Sequence, residues 1–473
     1  MIDLTKASVR AVGALVRDRQ VSAVEVVRAA QERIERYEPA VNAFVTVLRE
    51  ESLKAAAQVD RDVAAGKFLP LAGVPIAIKD SFHVQGVKTT AGSKVLDGVA
   101  AEDATVVARL KAAGCVVVGK TSLHEFAFGF TSQNPHHGDC KNPWDLTRIP
   151  GGSSGGNAVA LACSFALGAV GGDTGGSIRM PAALCGVDGL KVTYGRVSRH
   201  GGIPLSWSMD TVGPMARNVG DLAVLLQAMA GADPKDPAAS RKPVPDYAEA
   251  ARGVDLQGVR IGIPHRHFFE VLEPDVGATL QDALPIFKGL GATLVDVDFP
   301  AVDPVVGAHR AIIFSEAAAA HDALVRERGG EIAPEIVPLL QAGHFFSAPQ
   351  YLAAQQARRR LIDDYRRLWR GFDVLVTPTS PIAATPIGAT TVTLGGKERP
   401  LVRVYLDHTL PFNLTGQPAL SIPCGFTNKM LPVGLQLVGR PFDEGTLLRL
   451  GAAFESATTW HEKRPPVDRL KTS

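Results

Sequence analysis

The residues from Gly151 to Pro181, GGSSGGNAVALACSFALGAVGGDTGGSIRMP, set the serines Ser153, Ser154 and Ser177 beside dense glycines. Ser153 and Ser154 follow one glycine pair, and Ser177 closes a second, Gly175-Gly176. Glycine lets a backbone take positive φ and come close to a ligand. A serine hydroxyl attacks an acyl carbonyl once a base removes its proton. That base can be lysine as well as histidine. The oxyanion that forms needs preorganised donors. Asp173-Thr174-Gly175-Gly176-Ser177 offers consecutive backbone N–H groups ending at a hydroxyl. A helix opening at Ile178-Arg179-Met180-Pro181 would set its positive end behind the same spot.

Other chemistries fit less well. Gly151-Gly152-Ser153-Ser154-Gly155 matches G-x-S-x-G, the nucleophile elbow of α/β-hydrolases, which would make Ser153 the nucleophile of an esterase. The elbow follows an apolar strand, and KNPWDLTRIP, with two prolines, reads as loop. A phosphate-binding loop would need a lysine after the glycines, and the dinucleotide fingerprint is absent from this stretch. His136, His137 and Cys140 lack a second ligand pair at metal-site spacing, so no metal and no other cofactor are expected.

Helices and strands must bring these groups together. Ser22-Ala23-Val24-Glu25 is a capping box, with Val24, Val27, Ala30 and Ile34 at helical spacing behind it. Pro39 is expected to end that helix, and a second to run from Ala43 to Ala65. LAGVPIAIKD (Leu71–Asp80) is short, apolar and β-branched, the pattern of a buried strand. Strands at Cys115–Val118, Val259–Pro264, Thr293–Val297, Val374–Pro386, Pro418–Cys424 and the alternating Val433–Val438 are interleaved with helices at Thr105–Gly114, Val219–Met229, Ala278–Leu290, Ala308–Arg328, Pro349–Trp369 and Leu447–Thr458. Such β-α-β alternation predicts an α/β sheet protein. The run Ala158–Gly172 is too short for the ~20 residues of a membrane span and reads as a buried core helix. No repeat or composition break divides the 473 residues, so one domain is expected, with residues 1–67 as a helical segment packed on it and 464–473 as a flexible tail.

Composition narrows the partners. Fifty basic against 48 acidic residues give a net charge of +2, which leaves no electrostatic footprint for nucleic acid or an anionic membrane. The five cysteines include no CxxC pair, and Asp3 and Lys6 interrupt the opening where a secretory signal would be apolar. The expectation is a cytoplasmic protein with reduced thiols, a small-molecule partner, and no nucleic acid or membrane.

GGSSGGNA followed by GDTGGSIRMPA is similar to the defining segment of the amidase signature family. LAGVPIAIKD, Glu125–Asp145, GLKVTYGRVSR, DTVGPMARNVGD and FNLTGQPALSIPCG resemble further blocks of that family, in the same order. The resemblance implies a large mixed, mostly parallel central sheet flanked on both faces by helices, and a Ser–cis-Ser–Lys triad. In it Ser177 is the nucleophile, Ser153 the bridging serine after a cis peptide, and Lys79 the base. It further implies an oxyanion hole at Thr174, Gly175, Gly176 and Ser177, and supporting hydrogen bonds from Ser154, Asp173 and Arg179. Lys79 must lose its proton to act as base, a fall from ~10.4 to near neutrality. Burial among Val74, Pro75, Ile76 and Ile78 acts in that direction.

The implied reaction is hydrolysis of a carboxylic amide through an acyl-enzyme, with carbamates and esters open to the same groups. Phe128, Gly129, Phe130 and Trp207, together with Phe345 and Phe346, are candidates for a pocket that takes an aryl or alkyl acyl group. The chain also resembles the glutamine-hydrolysing amidase subunit of tRNA-dependent amidotransferases. That subunit's glutamine site uses an acidic residue before the NL-x-G block. Here Asp407 lies one residue out of step, which argues for a stand-alone amidase, monomer or homodimer. A fluorophosphonate should label Ser177, and Ser177→Ala should remove the label. Labelling of Ser153 instead would favour the elbow chemistry.

Overall fold

The short apolar runs become strands covered on both faces. In the computed structural model, which describes residues 2–469, they are β1 (Phe44–Val47), β2 (Pro75–Lys79), β3 (Val116–Thr121), β4 (Gly168–Asp173), β5 (Asp188–Lys191), β6 (Thr211–Ala216) and β7 (Arg260–Ile263). They continue as β8 (Thr293–Asp296), β9 (Val374–Pro378), β10 (Thr391–Leu394), β11 (Lys397–Pro400), β12 (Ala419–Phe426) and β13 (Pro432–Val438). Eleven of them form one mixed sheet in the order β1-β3-β2-β4-β6-β5-β12-β13-β9-β7-β8, and β10–β11 is a separate hairpin. Parallel pairing occurs in two blocks: β2 with β3 and β4, and β7 with β8 and β9. The strands between them, and β1 at the edge, pair antiparallel. The fold is the expected α/β class, with helices packed over the sheet.

The first block positions the chemistry. Ile78 of β2 is in register with Val170 of β4, so the C-terminal ends of these parallel neighbours lie side by side. One ends at Lys79, the other at Asp173. Ligand sites in open α/β sheets form outside the carboxyl ends of parallel strands. A main core surrounds the sheet, and a second apolar cluster joins Phe268, Phe299 and Phe412 to the helices Asp303–Arg328 and Ala348–Leu368.

Three local expectations are corrected. The capping box forms as read, with Glu25 N donating to Ser22 Oγ (3.1 Å) and Ser22 N to Glu25 Oε2 (2.8 Å). The helix nevertheless passes Pro39 and ends at Val41, because a proline in the last turn removes few backbone bonds. Residues 43–65 split into β1 and the helix Arg49–Ala64. The run 158–172 is not one helix: a helix ends at Ala162, Ser164 turns the chain with φ 57°, and β4 begins at Gly168. Pairing with β2 and β6 on both edges claims that backbone. The alternating strand Val433–Val438 forms as β13, with Gln436 fully buried. Among the described residues no helix is long and apolar enough to cross a membrane. Arg464 donates to Thr5 O (3.3 Å) and Val467 is buried; residues 470–473 lie outside the described residues.

One buried pair makes stability depend on pH. Asp188 on β5 neighbours Glu455 on the helix Glu444–Ser456; burial raises both carboxyls, Asp188 to about 7 despite its hydrogen bond from Glu455, and the Asp188 charge raises Glu455 further. The folded state therefore binds more protons than the unfolded chain. Stability present at acid pH is lost as pH rises through the raised values. Asp188→Asn, which removes one charge, should stabilise the protein at pH 8 by on the order of 1 kcal/mol more than at pH 5. Urea unfolding at the two values measures the difference; equal effects would refute the shared-proton pair.

Candidate active site

Lys79 ends β2 with its side chain buried, and its Nζ lies 2.7 Å from Ser153 Oγ in a hydrogen bond. The next residue, Asp80, turns to the other face and pairs with Lys120 of β3 at 2.6 Å. Burial lowers the Lys79 pKa to about 7, against the opposing pull of Asp173 and Asp210. Ser153 follows a cis peptide bond from Gly152. A Cβ on Gly152 would stand 2.9 Å from the Phe130 carbonyl carbon, so the chain approaches there only as glycine. Ser132, which no spacing singled out, pins the same turn: its Oγ donates to Gly151 O (2.9 Å) and accepts from Gly155 N (3.1 Å).

Asp173 organises the second glycine cluster. Its carboxylate accepts from Gly176 N (2.9 Å), Ile178 N (3.2 Å), Arg179 Nε (3.0 Å), Arg179 Nη2 (3.0 Å) and Asn413 Nδ2 (2.7 Å). Burial would raise its pKa; the Arg179 guanidinium outweighs that and, with Asn413, holds it well below the usual range. Arg179 opens the helix Arg179–Cys185 and also donates to Gln436 Oε1 (2.7 Å) on β13 and to Thr409 O (3.1 Å). Gly176 has φ 130°, and a Cβ there would lie 2.4 Å from Thr409 Oγ1. Thr174 Oγ1 donates to Asp210 Oδ1 (2.6 Å), and Thr409 Oγ1 to Gly175 O (2.6 Å). Ser154 N donates to Ser177 O (3.1 Å) and Ser154 Oγ to Gly172 O (3.2 Å), which ties the two glycine clusters together.

One expected donor is corrected. The Gly176 N–H is taken by Asp173, so the loop presents the N–H groups of Thr174, Gly175 and Ser177 without it. Ser177 lies at the end of a cavity of about 560 Å³ whose wall includes Phe128, Gly129 and Phe130. Phe345 and Phe346 line it as well. Trp207 does not. It lies 48% exposed on a second cavity, of about 200 Å³, that reaches Lys79, Asp173 and Thr174 from another side. His136 faces Glu125 (3.1 Å), and no group of three or more His, Cys, Asp or Glu gathers at ligand distance among the described residues.

The larger cavity has a wall that motif and spacing did not reveal. The helix Asp303–Arg328 contributes Val306, His309, Arg310, Ile313 and Phe314, a spacing of i, i+3, i+4, i+7, i+8 that marks one helix face. Arg403, Leu406 and Asp407 complete it. Asp407, out of step in sequence, thus reaches the cavity, where Arg403 pairs with it at 3.1 Å.

The amidase family model matches residues 25–448. A curated relative from Geobacter metallireducens, one of the subunits of glutamyl-tRNA(Gln) amidotransferase, is 41% identical over 95% of this chain and 96% of its own. A solved structure, described as a vestigial protein complex that reveals the origins of an s-triazine catabolic enzyme, shares 35% identity at a TM-score of 0.90, covering 95% of this chain and 98% of that one. A bacterial aryl acylamidase of the amidase signature enzymes shares 28% at a TM-score of 0.87, with 96% and 97% covered. These relatives overturn the expectation of a lone monomer or homodimer with only a small amide for partner and no nucleic acid. The curated relative is by name one subunit of an enzyme named for a tRNA. Balanced net charge failed as a guide because it averages over a whole surface, whereas assembly depends on local patches. A family match over most of the chain, with relatives of this identity across nearly its full length, makes the protein a member of the amidase signature family of amide C–N hydrolases.

Proposed function

We propose that the chain is the amide-hydrolysing subunit of a tRNA-dependent amidotransferase, releasing ammonia from glutamine for its partner subunits. The near full-length correspondence with the curated amidotransferase relative carries this reading. Asp407, Arg403 and Arg310 on the cavity wall supply charges for a ligand that bears a carboxylate and an ammonium. Ser177 Oγ bonds to the amide carbonyl carbon, and its proton passes through Ser153 to neutral Lys79. The N–H groups of Thr174, Gly175 and Ser177 hold the oxyanion. Return of the proton to nitrogen breaks the C–N bond and frees ammonia. Water then cleaves the acyl-enzyme to the acid and restores Ser177. Preorganised donors of this kind are worth ~10²–10³ each in turnover.

A second reading has one observation in its favour. Phe128, Phe130, Phe314 and Phe346 give the cavity an apolar lining suited to an aryl or alkyl amide, and the same groups would cleave a carbamate. Assembled with its partners, the protein should hydrolyse glutamine faster than an anilide or butyramide; the reverse order would replace the first reading by the second.

Lys79 accepts a proton only in its neutral form, and its pKa is about 7. The value of kcat/KM should therefore climb about tenfold per pH unit below 7 and level off above it. Ser177→Ala should lower turnover by about 10⁴-fold or more. Lys79→Ala should remove the inflection near 7 along with most of the activity, with the fold intact by circular dichroism. Retention of the inflection in that variant would exclude Lys79 as its source.

A further inference from the structure

Two side chains on the cavity wall have no part in the proton relay. His309 and Arg310 are adjacent on the helix Asp303–Arg328, and both line the cavity that ends at Ser177. His309 is only 5% exposed, and its Nε2 has no hydrogen-bond partner. A buried polar atom left unpaired is destabilising. Such an atom on a ligand cavity is a binding point awaiting its ligand. Its position is defined: a Cβ built on Gly175 would stand 3.8 Å from Nε2, so the ring edge lies against the loop that carries Ser177. Burial, reinforced by Arg310, lowers the imidazole pKa to about 4, so the ring is neutral and offers one N–H donor.

Arg310 is exposed at the cavity and has no acidic partner among the described residues. The other ionised groups on this wall, Arg403 and Asp407, are paired with each other at 3.1 Å. With His309 neutral, two guanidinium groups face one carboxylate, and the wall carries one uncompensated positive charge. A carboxylate on the ligand neutralises it.

We propose that His309 and Arg310 determine the specificity of this site by binding a carboxylate on the acyl part of the amide, His309 Nε2–H donating to it and Arg310 balancing its charge. The preferred amide then carries a carboxylate on a short acyl part, since Nε2 lies beside Gly175 of the loop that ends at Ser177. This rests on the reading of Ser177 as nucleophile, and not on glutamine as substrate. Charge-assisted hydrogen bonds discriminate between a carboxylate and a methyl group of the same size.

The test uses the full chain as Ser177→Ala, which binds without turnover, and calorimetry with succinamate, butyramide and glutamine. Succinamate and glutamine, which both carry a carboxylate, should each bind at least tenfold more tightly than butyramide, the neutral counterpart of succinamate. Arg310→Leu should bring succinamate and butyramide to within twofold of each other. His309→Leu should weaken succinamate about tenfold and leave butyramide within twofold, and His309→Gln should recover part of the loss. Equal binding of succinamate and butyramide, or a preference that survives Arg310→Leu, would overturn the proposal. Equal losses for both ligands in His309→Leu would make that residue structural and likewise refute its role. Arg310 is exposed, so its variant keeps the test decisive should His309→Leu not fold. Glutamine turnover by the wild-type assembly is a separate readout: its absence would end the amidotransferase reading and leave these affinity ratios standing.

Discussion

The Asp173 carboxylate is the interaction on which the site depends. It is fully buried, and a buried charge is tolerable only with excellent partners. Its partners come from separate parts of the chain: Gly176 and Ile178 in the glycine loop, Arg179 at the helix start, and Asn413 before β12. Through Arg179 the network extends to Gln436 on β13. Loss of one member of such a buried pair typically costs 3–5 kcal/mol, roughly half of a domain's stability. The network therefore fixes the loop that presents Ser177 to within small displacements. It also fixes which N–H groups remain for a ligand, because Asp173 consumes that of Gly176.

The same ion pair tunes the base. Burial pushes Lys79 toward neutrality, while Asp173 and Asp210 favour its charged form. At an effective interior dielectric near 20, a bare carboxylate a few ångströms away would contribute a few kcal/mol toward protonation. Arg179, paired with Asp173 at 3.0 Å, opposes that field. The Lys79 pKa of about 7 reflects burial first, with the two carboxylates pulling against it. Hydrogen bonding between Lys79 and Ser153 then links the tuned base to the first glycine cluster. Ser154 joins that cluster to the second through Ser177 O. The two hydroxyl sites, well separated in sequence, are one mechanical unit.

Most of this centre was legible from residue order. Glycines around hydroxyls, a lysine at the end of an apolar strand and the family blocks located Lys79, Ser153 and Ser177, because short-range sterics and a buried strand leave few alternatives. Legibility failed where tertiary pairing overrode local pattern. Small residues at 158–172 suit helix or strand equally, and the edges of β2 and β6 decided for strand after Gly168. The strand pattern of β13 named no partner for Gln436, which accepts from Arg179. Trp207 was grouped with Phe128 and Phe130 by residue type alone, and the chain carries it to a different cavity. Asp407 was discounted by a one-residue offset, yet it follows the last turn of the helix Leu401–Leu406, outside the regular helix, and reaches the cavity.

His309 and Arg310 escaped notice for a different reason. Helix periodicity was present around them, but it reads as core packing until the facing surface is known to be a cavity. The machinery is built on strand ends and a glycine loop, whereas this wall is built on a helix packed in the second apolar cluster, with Ile312 and Ala317 among its buried contacts. Substitutions on its cavity face can change what is recognised without reaching Asp173, Arg179 or Lys79. That separation allows relatives of one architecture to carry names as different as an aryl acylamidase and a component of a tRNA-linked amidotransferase. It also makes the charge balance of this wall, rather than the triad, the feature that distinguishes one amide from another.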